Sequence, residues 1–163
     1  MKQKNYQNLT KNTLGKLPVW NLKDLYESPK AKNLHNDLNQ LRRITKKFEK
    51  KYTFKITKLS PSQLLKAIIE LENIDIKIDK IMSYAHLLVA EDGNNEKNKI
   101  FYQQMQEQIT NIASSIVFFS LELNEVSNAK LNKIYADKKL EPYKNWIKNC
   151  LLYTSDAADD MFR

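Results

Sequence analysis

The chain has 163 residues, of which 42% are hydrophobic, and a formal net charge of +8. That length suits one domain with a sizeable core, and no apolar run approaches the roughly 20 residues that would span a bilayer. A single cysteine, Cys150, excludes an intrachain disulfide and a Cys-based metal site, and it fits a reducing cytoplasm. The positive charge comes from 24 lysines against 3 arginines. Lys, Asn and Ile share A/T-rich codons, so a solvated lysine-rich surface is favoured over a nucleic-acid site, which leans on Arg for bidentate contacts.

Residues 1–16 are polar and basic, carry no acid and show no periodicity, and are expected to form a disordered leader. They contain no apolar signal-peptide core, and their lack of Arg disfavours a transit peptide. Order is expected from Leu17, where Trp20, Leu22, Leu25 and Tyr26 can pack a first helical turn on the body.

Ser28-Pro29 predicts a helix start, with Ser as N-cap and Pro at the first helical position. Leu34, Leu38, Leu41, Thr45, Phe48 and Tyr52 follow at spacings of four and three, one apolar face. Arg42, Arg43, Lys46, Lys47, Lys50 and Lys51 fall mostly on the other faces and in the last turn, where they complement the helix dipole.

A second helix is announced by Ser60-Pro61-Ser62-Gln63, whose spacing is that of a capping box. Its expected stripe is Leu64, Ile68, Leu71, Ile78, Met82, Ala85 and Val89. Leu65, Ile69, Ile74, Ile81 and Leu88 widen that stripe, so the helix should be covered on two sides. Ile74-Asp75-Ile76-Lys77-Ile78 alternates like a strand but lies inside the capped helical pattern and is expected to stay helical.

Asp92-Gly93-Asn94-Asn95 marks a turn. A third helix is expected over Glu96–Glu125, with Ile100/Phe101, Met105, Ile109, Ile112, Ile116, Phe119 and Leu123 as its stripe. Two long helices joined by so short a turn must run antiparallel. Shorter helices are expected at 127–136 and 141–149, Pro142 standing early in the latter. With only two glycines, Gly15 and Gly93, the chain has no turn-rich β character and no phosphate loop. The fold class is all-α.

From about Cys150 the composition changes, and Cys150 to Asp160 contains no Lys, Asn or Ile. That stretch resembles a translated adaptor of the kind found at the ends of genes assembled from environmental DNA. Residues 150–163 are therefore expected to be non-native and are set aside from fold and function.

No catalytic constellation emerges. A helical zinc site needs two His at i and i+4 with a Glu beside the first, whereas His35 and His86 are remote and lack that neighbour. His35 reads as a surface or boundary residue and His86 as a hydrogen-bonded packing residue. Glu70, Glu72, Asp75, Asp79, Glu91 and Asp92 are numerous, but a di-iron bundle needs Glu-x-x-His on two helices. These acids are expected to pair at i,i+4 with Lys66, Lys77 and Lys80. Tyr84, Phe118, Phe119, Trp146 and Trp20 read as core. No catalytic, cofactor-binding or metal residue is assigned.

Leu17-Pro18-Val19-Trp20-Asn21-Leu22 with Leu25-Tyr26 resembles the N-terminal entry of oligoendopeptidase F, in the thimet-oligopeptidase-like (M3) group of zinc metallopeptidases. In the family's order there follow Phe48-Glu49-Lys50-Lys51-Tyr52, Leu59-Ser60-Pro61-Ser62, Ser83-Tyr84-Ala85-His86-Leu87, Phe118 to Leu123, and Tyr143-Lys144-Asn145-Trp146. The resemblance covers residues 17–149 and implies the N-terminal helical lobe of a cytoplasmic peptidase that cleaves short peptides. In that family a His-Glu-x-x-His helix and a later Glu hold zinc, and none of these maps onto this chain. The implied partners are a catalytic lobe of the same protein and, for the parent enzyme, short peptide substrates; the lobe alone is expected to be inactive. The competing expectation is a stand-alone basic helical module that binds nucleic acid or an acidic partner.

Overall fold

A computed structural model describes residues 21–151. The expected leader at 1–16, Leu17 to Trp20, and the tail from residue 152 lie outside the described residues. Those described are all-helical, with five α-helices, a further helical segment at 144–151, short 3-10 turns and no strand. No helix among them is long and apolar enough to cross a membrane.

Helix α1 spans Lys32–Tyr52 and buries Leu34, Leu38, Leu41, Thr45, Phe48 and Tyr52, the whole face its spacing defines. Its start differs from expectation. Ala31 occupies the N-cap position and offers no side-chain cap, while Ser28 accepts a backbone bond from Ala31 at 3.0 Å. Ser28-Pro29 thus opens a turn, for which Pro at the second position is equally suited. The buried Tyr26 sets where the chain arrives: its hydroxyl donates to Asp37 at 2.8 Å and its ring packs edge-on against Tyr84 at 5.2 Å.

Helix α2, Pro61–Glu91, is 31 residues long, or about 46 Å at the usual rise. The capping box forms as spaced: Gln63 N–H donates to Ser60 Oγ at 3.3 Å, and Ser60 N–H donates to Gln63 Oε1 at 2.9 Å. The alternating segment 74–78 is helical. Ile74 and Ile81 of the widened stripe and Tyr84 are buried as expected, while Ile78, Met82 and Val89 of the main stripe are only half-buried. The direction of burial is set by the helices on either side, because α1 and α3 both pack on α2.

Helix α3, Glu96–Ala113, begins at Asn95, whose side chain accepts from Lys97 and Asn98 N–H. It lies antiparallel to α2: Asn98 Nδ2 donates to Leu88 O at 2.9 Å, and Tyr84 and Phe101 meet edge-on at 6.0 Å. Helix α1 also runs antiparallel to α2, since Lys80 reaches Asp37 and Lys51 reaches Glu70.

The expected continuous helix to Glu125 is broken. A 3-10 turn occupies Ser114–Ile116, and α4 resumes over Phe118–Asn124. Ser114 and Ser115 each turn their hydroxyls back to the carbonyl three residues earlier, at 2.9 and 2.8 Å. Such back-bonding competes with the helical ladder, and Ser pairs commonly mark kinks. The break lets Phe118 and Phe119 swing onto Phe48, with ring centroids 5.9 and 5.8 Å away.

Helix α5 covers Asn128–Ala136. A 3-10 stretch at Lys138–Tyr143 contains Pro142, and the chain is helical over 144–151. The last helix therefore starts three residues later than expected, with the proline in the turn ahead of it. Helicity continues through Cys150 and Leu151, both packed on the core, and Cys150 O accepts from Asn124 Nδ2 at 3.4 Å. The last segment returns to α2 and lies beside Ile68, Leu71, Glu72 and Asp75.

Candidate functional site

Two features stand apart from the packed core. The first arises because the acids of α2 do not pair as expected. Glu70 bonds Lys51 of α1 at 2.5 Å and accepts from Tyr52 at 3.1 Å. Lys80 and Lys77 turn to Asp37 of α1, at 3.2 and 4.0 Å. Side chains on a helix surface meet at spacings of three and four, and no acid of α2 is so placed from Lys77 or Lys80, so both lysines meet an acid on another helix. Burial by itself would raise the Asp37 carboxyl. The hydrogen bonds from Tyr26 and Lys80 and the charges of Lys80 and Lys77 together hold it below the usual carboxylate range.

Glu72, Asp75 and Asp79 have no lysine three or four residues away on α2 and make no ion pair among the described residues. They line one wall of a groove of about 350 Å³ whose other wall is Pro142, Tyr143 and Trp146, with Ile68, Leu71 and Ile76 between. Tyr143 donates its hydroxyl to Glu72 Oε2 at 2.9 Å. Asp75 is exposed as a residue and lines the groove. Loss of hydration there, with Asp79 and Glu72 close by, pushes it up to about 6. Trp146, expected in the core, rests against Phe119 at 6.2 Å yet is 36% exposed at the groove's edge.

The second feature is the turn after α1. Phe54 has φ 62, in the left-handed region that a bulky residue rarely enters, and its side chain is 83% exposed. The buried carboxylate of Glu122 on α4 holds this turn, accepting from Phe54 N–H at 2.5 Å and Ile56 N–H at 3.0 Å. Val117 and Leu121 of the same stretch are also exposed. Glu122 went unassigned from sequence, although a lone acid between Leu121 and Leu123 on a buried helical face was the available signal.

The histidines do not converge. His35 is exposed on α1; His86 is exposed on α2 with its ring 6.1 Å from Tyr102, so it is no buried, hydrogen-bonded packing residue. Among the described residues no three His, Cys, Asp or Glu side chains are grouped to hold a metal ion. Chemically, the groove can attract and orient a cation; it contains no activated nucleophile.

No protein-family model matches this sequence. Neither the curated proteins nor the solved structures include a match to it.

Proposed function

We propose that this chain is the N-terminal helical lobe of a cytoplasmic zinc metalloendopeptidase of the oligoendopeptidase F type, inactive without its catalytic lobe. The order of sequence features from Leu17 to Trp146 suggests the family, and an all-helical body is compatible with it. The structural observation that supports it most is the display of Phe54. An exposed aromatic side chain held in a strained turn by a buried carboxylate is a surface suited to burial against another lobe, and Val117 and Leu121, on the stretch that carries that carboxylate, are exposed as well. In the parent enzyme, zinc activates water for hydrolysis of short peptides. This chain's own role is steric: it walls the substrate groove and keeps folded proteins out.

Reading the coding DNA from native template across the codon for Asn149 tests the proposal. In-frame continuation for several hundred residues into His-Glu-x-x-His is the expected result; a stop codon at the end of the given sequence would sink it. The basic-module alternative draws on Arg43, Lys46, Lys47 and Lys50, exposed together on the outer face of α1. It requires polyanion affinity that falls steeply with salt.

A further inference from the structure

The geometry points to the groove between α2 and the 138–146 segment as a docking site for a basic peptide segment of a partner protein. The site rests on residues within 21–151 and holds whether or not a catalytic lobe follows. Three observations carry it.

First, the wall is anionic and uncompensated. Glu72, Asp75 and Asp79 recur at three- and four-residue intervals on one side of α2, no lysine stands three or four residues from any of them, and the nearby Lys77 and Lys80 are engaged by Asp37. Second, the acids do not form an isolated patch. They border an apolar floor and rim in which Ile76 is 59% and Trp146 36% exposed, within a cavity of about 350 Å³. Third, Tyr143 fixes the Glu72 carboxylate from the opposite wall, so that acid is oriented before any ligand arrives.

Charge complementarity specifies the occupant. The rest of this +8 chain repels cations, so a basic ligand is selected by this groove and not by the general surface. At a rise of 1.5 Å per residue, the levels of Glu72, Asp75 and Asp79 along α2 are separated by about 4.5 and 6 Å. Two Lys or Arg side chains at i and i+4 on a partner helix match that interval. An apolar residue between them would cover Ile76, and one cation could lie over the face of Trp146. With Asp75 near 6, the wall reaches its full negative charge only above that pH.

The test is fluorescence anisotropy of a labelled alanine-based peptide bearing Lys at i and i+4 with Leu at i+3, titrated with the full 163-residue chain. Saturable binding is expected, weakened about tenfold by Asp75→Asn with Asp79→Asn, as for the loss of two exposed ion pairs. Glu107→Gln with Glu125→Gln changes the net charge equally at positions outside the groove and should leave the affinity unchanged. Affinity for the wild-type chain should also fall as pH drops from 7 to 5. No saturable binding at millimolar protein overturns the proposal. So does binding that the groove pair leaves intact, or that both pairs weaken alike.

Discussion

Glu122 on α4 reaches across to the turn after α1 and bonds the backbone N–H of Phe54 and of Ile56, one with each carboxylate oxygen. These residues are 68 and 66 positions from Glu122 in the chain. The bond pair ties the end of the first helix to the element that follows the serine break. It also satisfies two N–H groups that the change of direction at Phe54 removes from any helical ladder.

Glu122→Ala leaves those donors unpaired in a partly buried setting, so it should destabilise the fold by about 2–3 kcal/mol. Chemical denaturation with a reference variant at exposed Glu125 measures this. A loss below about 0.5 kcal/mol would show that the carboxylate merely fills space.

Phe54→Gly should have the opposite sign. Leaving the left-handed region relieves about 1 kcal/mol of strain, and the exposed ring contributes little packing to this chain. Since glycine also loses entropy on folding, a net gain of roughly 0.5 kcal/mol is expected. Phe54→Val, β-branched in the same conformation, should lose about 1 kcal/mol. If glycine proves clearly worse than phenylalanine, the ring is supporting the turn after all.

Asp37 and Asp75 should respond to pH in opposite directions. Asp37 has a folded-state pKa below its unfolded value, so its stabilisation is present above about pH 4 and is lost as pH falls through the lower folded value. Asp75 titrates near 6 when folded, so the native state holds an extra proton between about 4 and 6 and loses stability as pH rises through that window. Because Asp75 keeps contact with water, screening limits the effect to about 1 kcal/mol at pH 7. Asp75→Asn should therefore raise the melting temperature at pH 7 and leave it nearly unchanged at pH 4. An equal shift at both values would rule out the charge as its cause.

Tyr26→Phe removes the hydroxyl bonded to Asp37 while keeping the ring against Tyr84, and should cost about 1 kcal/mol at pH 7. Asp37→Asn removes the attraction for Lys80 and Lys77 as well. In a double-mutant cycle the two changes should be non-additive, and strict additivity would mean that the hydroxyl acts independently of the carboxylate.

Helix periodicity was legible where one neighbour covers one face. All six apolar-face residues of α1 are buried as spaced, and the Ser60–Gln63 cap forms because all its parts lie within four residues. Prediction failed where two local solutions were close in energy. Ser28-Pro29 can start a helix or a turn, and the approach of Tyr26 to Asp37 and Tyr84 selects the turn. Ser114-Ser115 can continue a helix or bond back on it, and the second outcome places Phe118 and Phe119 on Phe48.

By itself, then, the sequence determined the all-α class, the antiparallel pair around Asp92–Asn95 and most of the core, because those follow from periodicity and from caps a few residues long. Only the tertiary structure decided which charges would find partners. On α2 no acid stands three or four residues from Lys77 or Lys80, and both face Asp37 on α1. Side chains on one helix meet only at spacings of three and four, so these lysines could find an acid only across a helix packing. The acidic groove beside Trp146 and the Glu122 brace under Phe54 both join residues distant in the chain.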